Sequence, residues 1–243
     1  MPRTYRVKDV WRTLQGEGAF AGRPAVFVRF VACNLWTGRD ADRARDADRS
    51  GADCPLWCDT DFTREGSRVF DTPGALADHV ATVGGGIGFV VCTGGEPLLQ
   101  LDAPLVAALH ARGLYVAVET NGTVSLASAI GASGGPDVPD WVTCSPKLRE
   151  RAGAGGAGEA SPLALEWFDE IKLVVPDYAP ADVAAFLARQ RVHTVAGAPL
   201  PLRWLQPEDG PRVAEATAAA VAAALADPSW RVSVQTHKVL DVP

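Results

Sequence analysis

Apolar runs are short throughout this 243-residue chain, and none approaches the roughly 20 residues that a membrane-spanning helix needs. The opening stretch from Met1 to Lys8 has no apolar signal-peptide core. A soluble, cytoplasmic protein is therefore expected, with no membrane partner. Cysteine is scarce: five residues are an odd number and too few for a disulfide scaffold of this size. In a reducing compartment such thiols serve as core residues or metal ligands. Positive charge is in deficit, with 23 Lys and Arg against 29 Asp and Glu, a net of −6. That excludes a general polyanion-binding surface, but not a small acidic ligand held by a few local cations. The excess polarity of a disordered chain is missing too: 47% of residues are hydrophobic and 21% charged, enough to build a sizeable core.

Short β-type runs alternate with helical stretches. Strands are predicted at Ala25–Val31, Gly88–Cys92, Leu114–Val118, Trp141–Cys144, Glu170–Val175 and Leu202–Leu205. Their nearly continuous apolar character suits a parallel sheet covered on both faces. Helices are predicted at Thr72–Val83, capped by Asp71 or Thr72, at Asp102–Arg112, at Ala181–Arg191 and at the Ala-rich Pro211–Ala226. The Ala- and Gly-rich Arg151–Ala160 reads as a loop. About six strands fall short of the eight βα units, about 250 residues, of a full barrel. The expected fold is α/β, an incomplete TIM-type βα barrel of about six parallel strands. No linker divides it, so residues 1–243 form a single domain, with a charged surface insertion at Arg39–Asp53. Chemistry in such a fold belongs at the C-terminal ends of the strands.

Cys33, Cys54 and Cys58 follow the first of these strands with the spacing C-x20-C-x3-C. Three converging thiolates suit a 4Fe–4S cluster with one open iron, or zinc, or are unrelated core thiols; spacing alone leaves all three open. The neighbouring motifs narrow the choice. They are Leu14-Gln15-Gly16-Glu17-Gly18, Cys58-Asp59-Thr60, Thr93-Gly94-Gly95-Glu96-Pro97, Glu119-Thr120-Asn121-Gly122, Cys144-Ser145-Pro146-Lys147, Leu205-Gln206-Pro207 and Gln235-Thr236-His237-Lys238. In this order the chain resembles the 7-carboxy-7-deazaguanine synthase (QueE) family of radical S-adenosylmethionine enzymes, from about residue 8 to its end. The family commonly has C-x3-C-x2-C, sometimes with a long insertion. The C-x3-C pair here implies a bulge at Pro55-Leu56-Trp57.

The resemblance implies a lyase that converts 6-carboxy-5,6,7,8-tetrahydropterin to 7-carboxy-7-deazaguanine with release of ammonia, on the way to 7-deazapurines such as queuosine. It implies one 4Fe–4S cluster on Cys33, Cys54 and Cys58, S-adenosylmethionine, and Mg²⁺ at Thr60. S-adenosylmethionine would meet Trp57, Asp59, Gly95, Glu119, Ser145, Pro146, Lys147, Gln206, Pro207, Glu208 and Asp209. The pterin would meet Leu14, Gln15, Gly16, Arg29, Thr93, Asn121 and the terminal Pro243. Arg29 would be the cation for the pterin carboxylate, the simpler reading being a strand arginine that faces solvent. A small flavodoxin-like electron donor and a homodimer are implied as partners, without direct nucleic-acid contact.

Simpler readings stand beside these. Gly94-Gly95 also suits a plain βα turn, Lys147 a solvated loop cation, and Asp209 a helix cap. Glu119 and Asn121 suit either ligand. Cys92 and Cys144 read as buried thiols, and His79, His110 and His193 lack a partner pattern. Another radical S-adenosylmethionine enzyme, such as a protein-radical activase, and a zinc-stabilised binding module are the competing functions.

Overall fold

A computed structural model of the chain describes residues 4–52, 54–131, 135, 137–147, 164–175 and 201–243. The predicted helix at Ala181–Arg191, the predicted loop at Arg151–Ala160, and His193 lie outside the described residues. Nine strands form one mixed sheet among the described residues: β1 (Tyr5–Leu14), β2 (Pro24–Phe30), β3 (Arg68–Phe70), β4 (Phe89–Gly94), β5 (Tyr115–Thr120), β6 (Trp141–Cys144), β7 (Glu170–Val175), β8 (Leu202–Pro207) and β9 (Trp230–Val232). The order is β3-β1-β2-β4-β5-β6-β7-β8-β9. From β2 to β9 every neighbour is parallel, while β1 and β3 are added antiparallel at one edge. All six predicted strands are present. The prediction omitted β9, β1 and β3. β9 and β3 are three residues each, and β1 is half-polar because its outer positions stay partly exposed.

Side chains alternate across each parallel strand. Val26, Val28 and Phe30 of β2, Val90 and Cys92 of β4, and Val116 and Val118 of β5 face one way. Helices α2 (Pro73–Gly84) and α3 (Ala103–His110) cover them with Leu76, Val80, Leu105 and Leu109. Both helices start as their sequences demand. Thr72 Oγ1 accepts from Ala75 N at 3.1 Å with Pro73 next, and Asp102 Oδ1 accepts from Leu105 N at 3.1 Å. Asp102 also receives the Tyr5 hydroxyl at 2.7 Å, which ties α3 to the edge strand β1.

The opposite face changes character along its length. At the N-terminal ends of the strands, Ala25, Phe89, Val91 and Ala117 are buried and plugged by Phe20 and Trp141. Further along the same face come Arg29, Thr93, Glu119 and Thr143, two residues past Phe27, Val91, Ala117 and Trp141 of that floor. Arg29 pairs with Thr93 in register, and Glu119 with Thr143. The two-residue period thus turns an apolar floor into a polar row at the C-terminal ends.

The remaining helices are α1 (Arg43–Ser50), α4 (Leu126–Ile130), α5 (Val213–Ala226) and α6 (Thr236–Leu240). α1 lies in the charged insertion, where the sequence predicts only solvated surface. Its Asp46 and Ala47 are buried. α5 begins at the N-cap Arg212, with no side-chain cap, so Asp209 is free for another role.

Candidate active site

Above the polar row opens a cavity of about 650 Å³, within the roughly 300–1,000 Å³ of small-molecule sites. Every residue assigned a ligand role from the sequence lines it, except Pro146, which is buried beside it.

The three cysteines sit at one end. Cys33 follows Ala32, a non-glycine residue with φ of 79° that turns the chain out of β2. Burial raises the Cys33 thiol, the amides of Leu35 and Trp36 oppose this, and the neighbouring charges of Glu96 and Cys58 raise it further. The four-residue step from Cys54 to Cys58 is one helical turn: Cys58 N donates to Cys54 O at 2.8 Å. Residues four apart on such a turn share a face. The C-x3-C pair therefore needs no bulge, which corrects the sequence-based expectation. Cys54 packs with Leu35 and Cys33 in a small apolar cluster. Among the described residues no three His, Cys, Asp or Glu side chains converge on a single ion.

The glycine pair holds this end together. A Cβ on Gly95 would fall 2.3 Å from Ala32 O and 2.8 Å from Cys33 Cβ. Close packing of β4 on the Cys33 loop thus demands glycine there. Glu96 N donates to Ala32 O at 3.0 Å. Its carboxylate is fully buried and accepts from Leu98 N, Thr120 Oγ1 and Asn121 N at 2.8–3.0 Å. Burial pushes it up to about 7 against those donors and the nearby Lys147 charge. The Asn121 side chain is spent on Asn34, at 3.1 Å, and on Thr123. It braces the cysteine loop.

Two further groups line the walls. Glu119 accepts from Gln15 Nε2 at 3.0 Å and from Thr93 Oγ1 at 3.2 Å, which places it with the residues assigned to the pterin. Arg29 lies over the Trp11 ring at 4.8 Å, and its buried Nε has no hydrogen-bond partner among the described residues. On the other side Lys147 Nζ donates to Ser145 Oγ at 2.8 Å and sits 5.5 Å from the Trp57 ring. Asp209 pairs with Lys238 at 2.5 Å, Asp59 approaches the same lysine at 3.9 Å, and Glu208 pairs with Arg212 at 2.8 Å. Leu14, Thr60, Pro207 and Pro243 line the cavity as well, and the Thr13 hydroxyl donates to Pro243 O.

Several cavity residues received no role from the sequence. Glu17 and Lys172 form a buried ion pair, and Glu17 Oε1 also accepts from Gln206 and Gln235, both at 2.8 Å. Burial drives Glu17 up, but Lys172 and these donors outweigh it and hold the carboxyl at about 2. Burial likewise disfavours the Lys172 ammonium, and Glu17, Glu119 and Glu170 reverse this, so its proton is held well above the usual lysine range. A lysine two residues from a glutamate inside the apolar strand β7 is the signal that was legible. The His237 ring fills the place of a Gly16 side chain, since a Cβ there would lie 1.8 Å from its Nδ1.

No family model matches the chain. It is 43% identical over 245 residues to the 7-carboxy-7-deazaguanine synthase of Bordetella pertussis, covering 98% of this chain and 99% of that one. To the synthase of the same name from Burkholderia multivorans it is 40% identical, covering 99% and 100%. The crystal structure of QueE from Escherichia coli superposes with a TM-score of 0.61 at 26% identity, covering 95% of this chain and 93% of that one. With identity of this order running end to end along its relatives, the chain belongs to the 7-carboxy-7-deazaguanine synthase family.

Proposed function

We propose that this protein is a radical S-adenosylmethionine lyase that converts 6-carboxy-5,6,7,8-tetrahydropterin to 7-carboxy-7-deazaguanine with loss of ammonia. The observation that carries this reading is one cavity lined together by three thiols, by Arg29, whose buried Nε has no hydrogen-bond partner among the described residues, and by the Glu119 carboxylate. Family membership supports it. The donor set fits the implied cluster: Cys54 and Cys58 share a face of one turn, and Cys33 packs against Cys54.

When bound, the cluster and S-adenosylmethionine supply a hydrogen-abstracting carbon radical. The chain's residues divide the remaining work. Cys33, Cys54 and Cys58 hold the cluster. Ser145, Lys147, Trp57, Asp59, Gly95 and the Gln206–Asp209 segment hold S-adenosylmethionine, with Lys147 toward its carboxylate. Arg29 takes the pterin carboxylate, and the Thr60 hydroxyl would offer an oxygen ligand to Mg²⁺. Glu119, with Gln15 and Thr93 hydrogen-bonded to it, accepts from the pterin N–H edge, and Leu14, Gly16 and Pro243 complete that edge. Asn121 acts through the loop it braces. α6, resting on Gly16, limits water access.

The sheet is inferred to curl into a partial barrel. The segment leaving β1 crosses to the far strands: Gly18 N donates to Ser233 Oγ at 3.1 Å, and Thr236 N to Gly16 O at 2.9 Å. A homodimer and a small flavodoxin-like donor are proposed on the family's pattern. The test is anaerobic reconstitution with iron and sulfide, then incubation with dithionite, S-adenosylmethionine and the carboxylated pterin. Formation of the deazaguanine acid is expected. A reconstituted protein that cleaves S-adenosylmethionine without making it rejects the reading.

A further inference from the structure

The charged insertion between Cys33 and Cys54 has no part in the reading above, yet it is stitched to both ends of the cysteine loop. Arg43 opens α1 and reaches under the Cys54–Cys58 turn. Its Nη1 donates to Pro55 O at 2.7 Å and its Nη2 to Cys58 O at 3.1 Å. Asp40 Oδ1 fixes Nε at 2.9 Å, which sets the plane of the fork. The guanidinium lies 4.3 Å over the ring of Trp36, a buried residue three positions after Cys33. A second anchor is Asp46, which accepts from Thr37 N at 2.8 Å and is held by Arg45 and Arg49.

A twenty-residue gap between chelating residues carries a loop-closure cost on cluster binding unless the loop is already ordered. Arg43 orders it from the middle, touching the Cys33 side through Trp36 and the Cys54–Cys58 side through two carbonyls. We propose that Arg43 is a positioning residue for the iron–sulfur cluster, bracing the Cys54–Cys58 turn against the Cys33 loop at the separation the cluster requires. This rests on the cluster reading given above. The role suits arginine alone: a lysine ammonium can neither bridge two carbonyls in one plane nor stack on the ring while doing so.

The experiment compares full-length, anaerobically reconstituted wild type with Arg43→Met, Arg43→Lys and, as a charge-matched control, Arg39→Met, an exposed position on the same insertion. Partners one shell out from metal ligands commonly matter 10- to 100-fold, so both Arg43 variants should lose iron and sulfide in air about ten-fold faster than the control. The electron paramagnetic resonance signal of the reduced cluster with S-adenosylmethionine should change, and the KM for S-adenosylmethionine should rise while that for the pterin holds. Should Arg43→Met not fold, the same decay rate and spectrum for Arg43→Lys decide the matter. Decay and spectrum equal to the control overturn the inference, even if the apoprotein melts lower, because that is the mark of a merely structural contact. A wild type that takes up no iron–sulfur cluster overturns the parent reading and this inference with it. Normal wild-type uptake with unchanged Arg43 variants overturns this inference alone.

Discussion

Arg29 reaches the cavity from β2, two residues beyond the apolar floor and in register with Thr93. Its buried Nε without a partner is costly unless a ligand completes it. Removing the charged head in Arg29→Met should weaken pterin binding by about 2 kcal/mol, about thirty-fold in KM. S-adenosylmethionine affinity should not move. Steady-state kinetics at saturating S-adenosylmethionine check this, and an unchanged pterin KM would remove Arg29 from the substrate site. The place of Arg29 in the cavity wall was legible because a charge inside an apolar strand is conspicuous. So were Cys92 and Cys144, whose thiols are buried against the helices and raised by burial, Cys92 to about 12. His110 was less legible: it meets Asp140 at 3.0 Å, thirty residues away, where no local pattern points.

At the level of elements, the strand ends show why β4 finishes in one glycine and is followed by another. Gly94 has φ of 141°, and a Cβ on it would lie 2.3 Å from Phe30 O and 2.7 Å from Phe30 N. Those are backbone atoms of a paired strand and cannot swing aside. Gly94→Ala should cost about 1–3 kcal/mol of stability, read from denaturant unfolding of the apoprotein; a variant as stable as wild type would mean that β2 and β4 separate more easily than their register implies. The sequence offered both a ligand-approach and a plain-turn reading for this pair, and the packing adds a third reason: strand must meet strand. Helices α2 and α3 were legible to within two residues at each start because Thr72, Pro73 and Asp102 carry the start signal in their own side chains. α1 was not, since its charges read as a solvated face until Asp46 is seen to serve a backbone amide and two arginines at once. The C-x3-C spacing misled in the same way, because spacing alone does not say that the intervening residues form a helical turn.

At the scale of the whole molecule, the N-terminal segment after β1 must meet strands β7 to β9, at the far side of the sheet order. A buried polar knot makes that junction. Glu17 joins Lys172 of β7, Gln206 of β8 and Gln235 beyond β9, while Ala19 N and Trp204 Nε1 donate to Glu170 at 3.0 and 2.7 Å. No local window of sequence shows this, for the ion pair spans 155 positions. Breaking it from one side should be severe. Lys172→Met leaves the Glu17 carboxylate buried and uncompensated, at a cost of about 3–5 kcal/mol. If the two act as one unit, Glu17→Gln combined with Lys172→Met should lose less than the sum of the single variants, with coupling on the order of 0.5–3 kcal/mol. The acid limb gives an independent reading. Glu17 sits at about 2 in the folded chain against an ordinary 4.5, so its stabilisation is complete above about pH 4.5 and is lost as pH falls toward 2. Unfolding measured between pH 5 and 2 should therefore show a shallower decline in Glu17→Gln than in wild type, other carboxylates being common to both. Additive single variants together with parallel acid limbs would mean that the sheet ends are joined by packing alone, and that the knot contributes only hydrogen bonds.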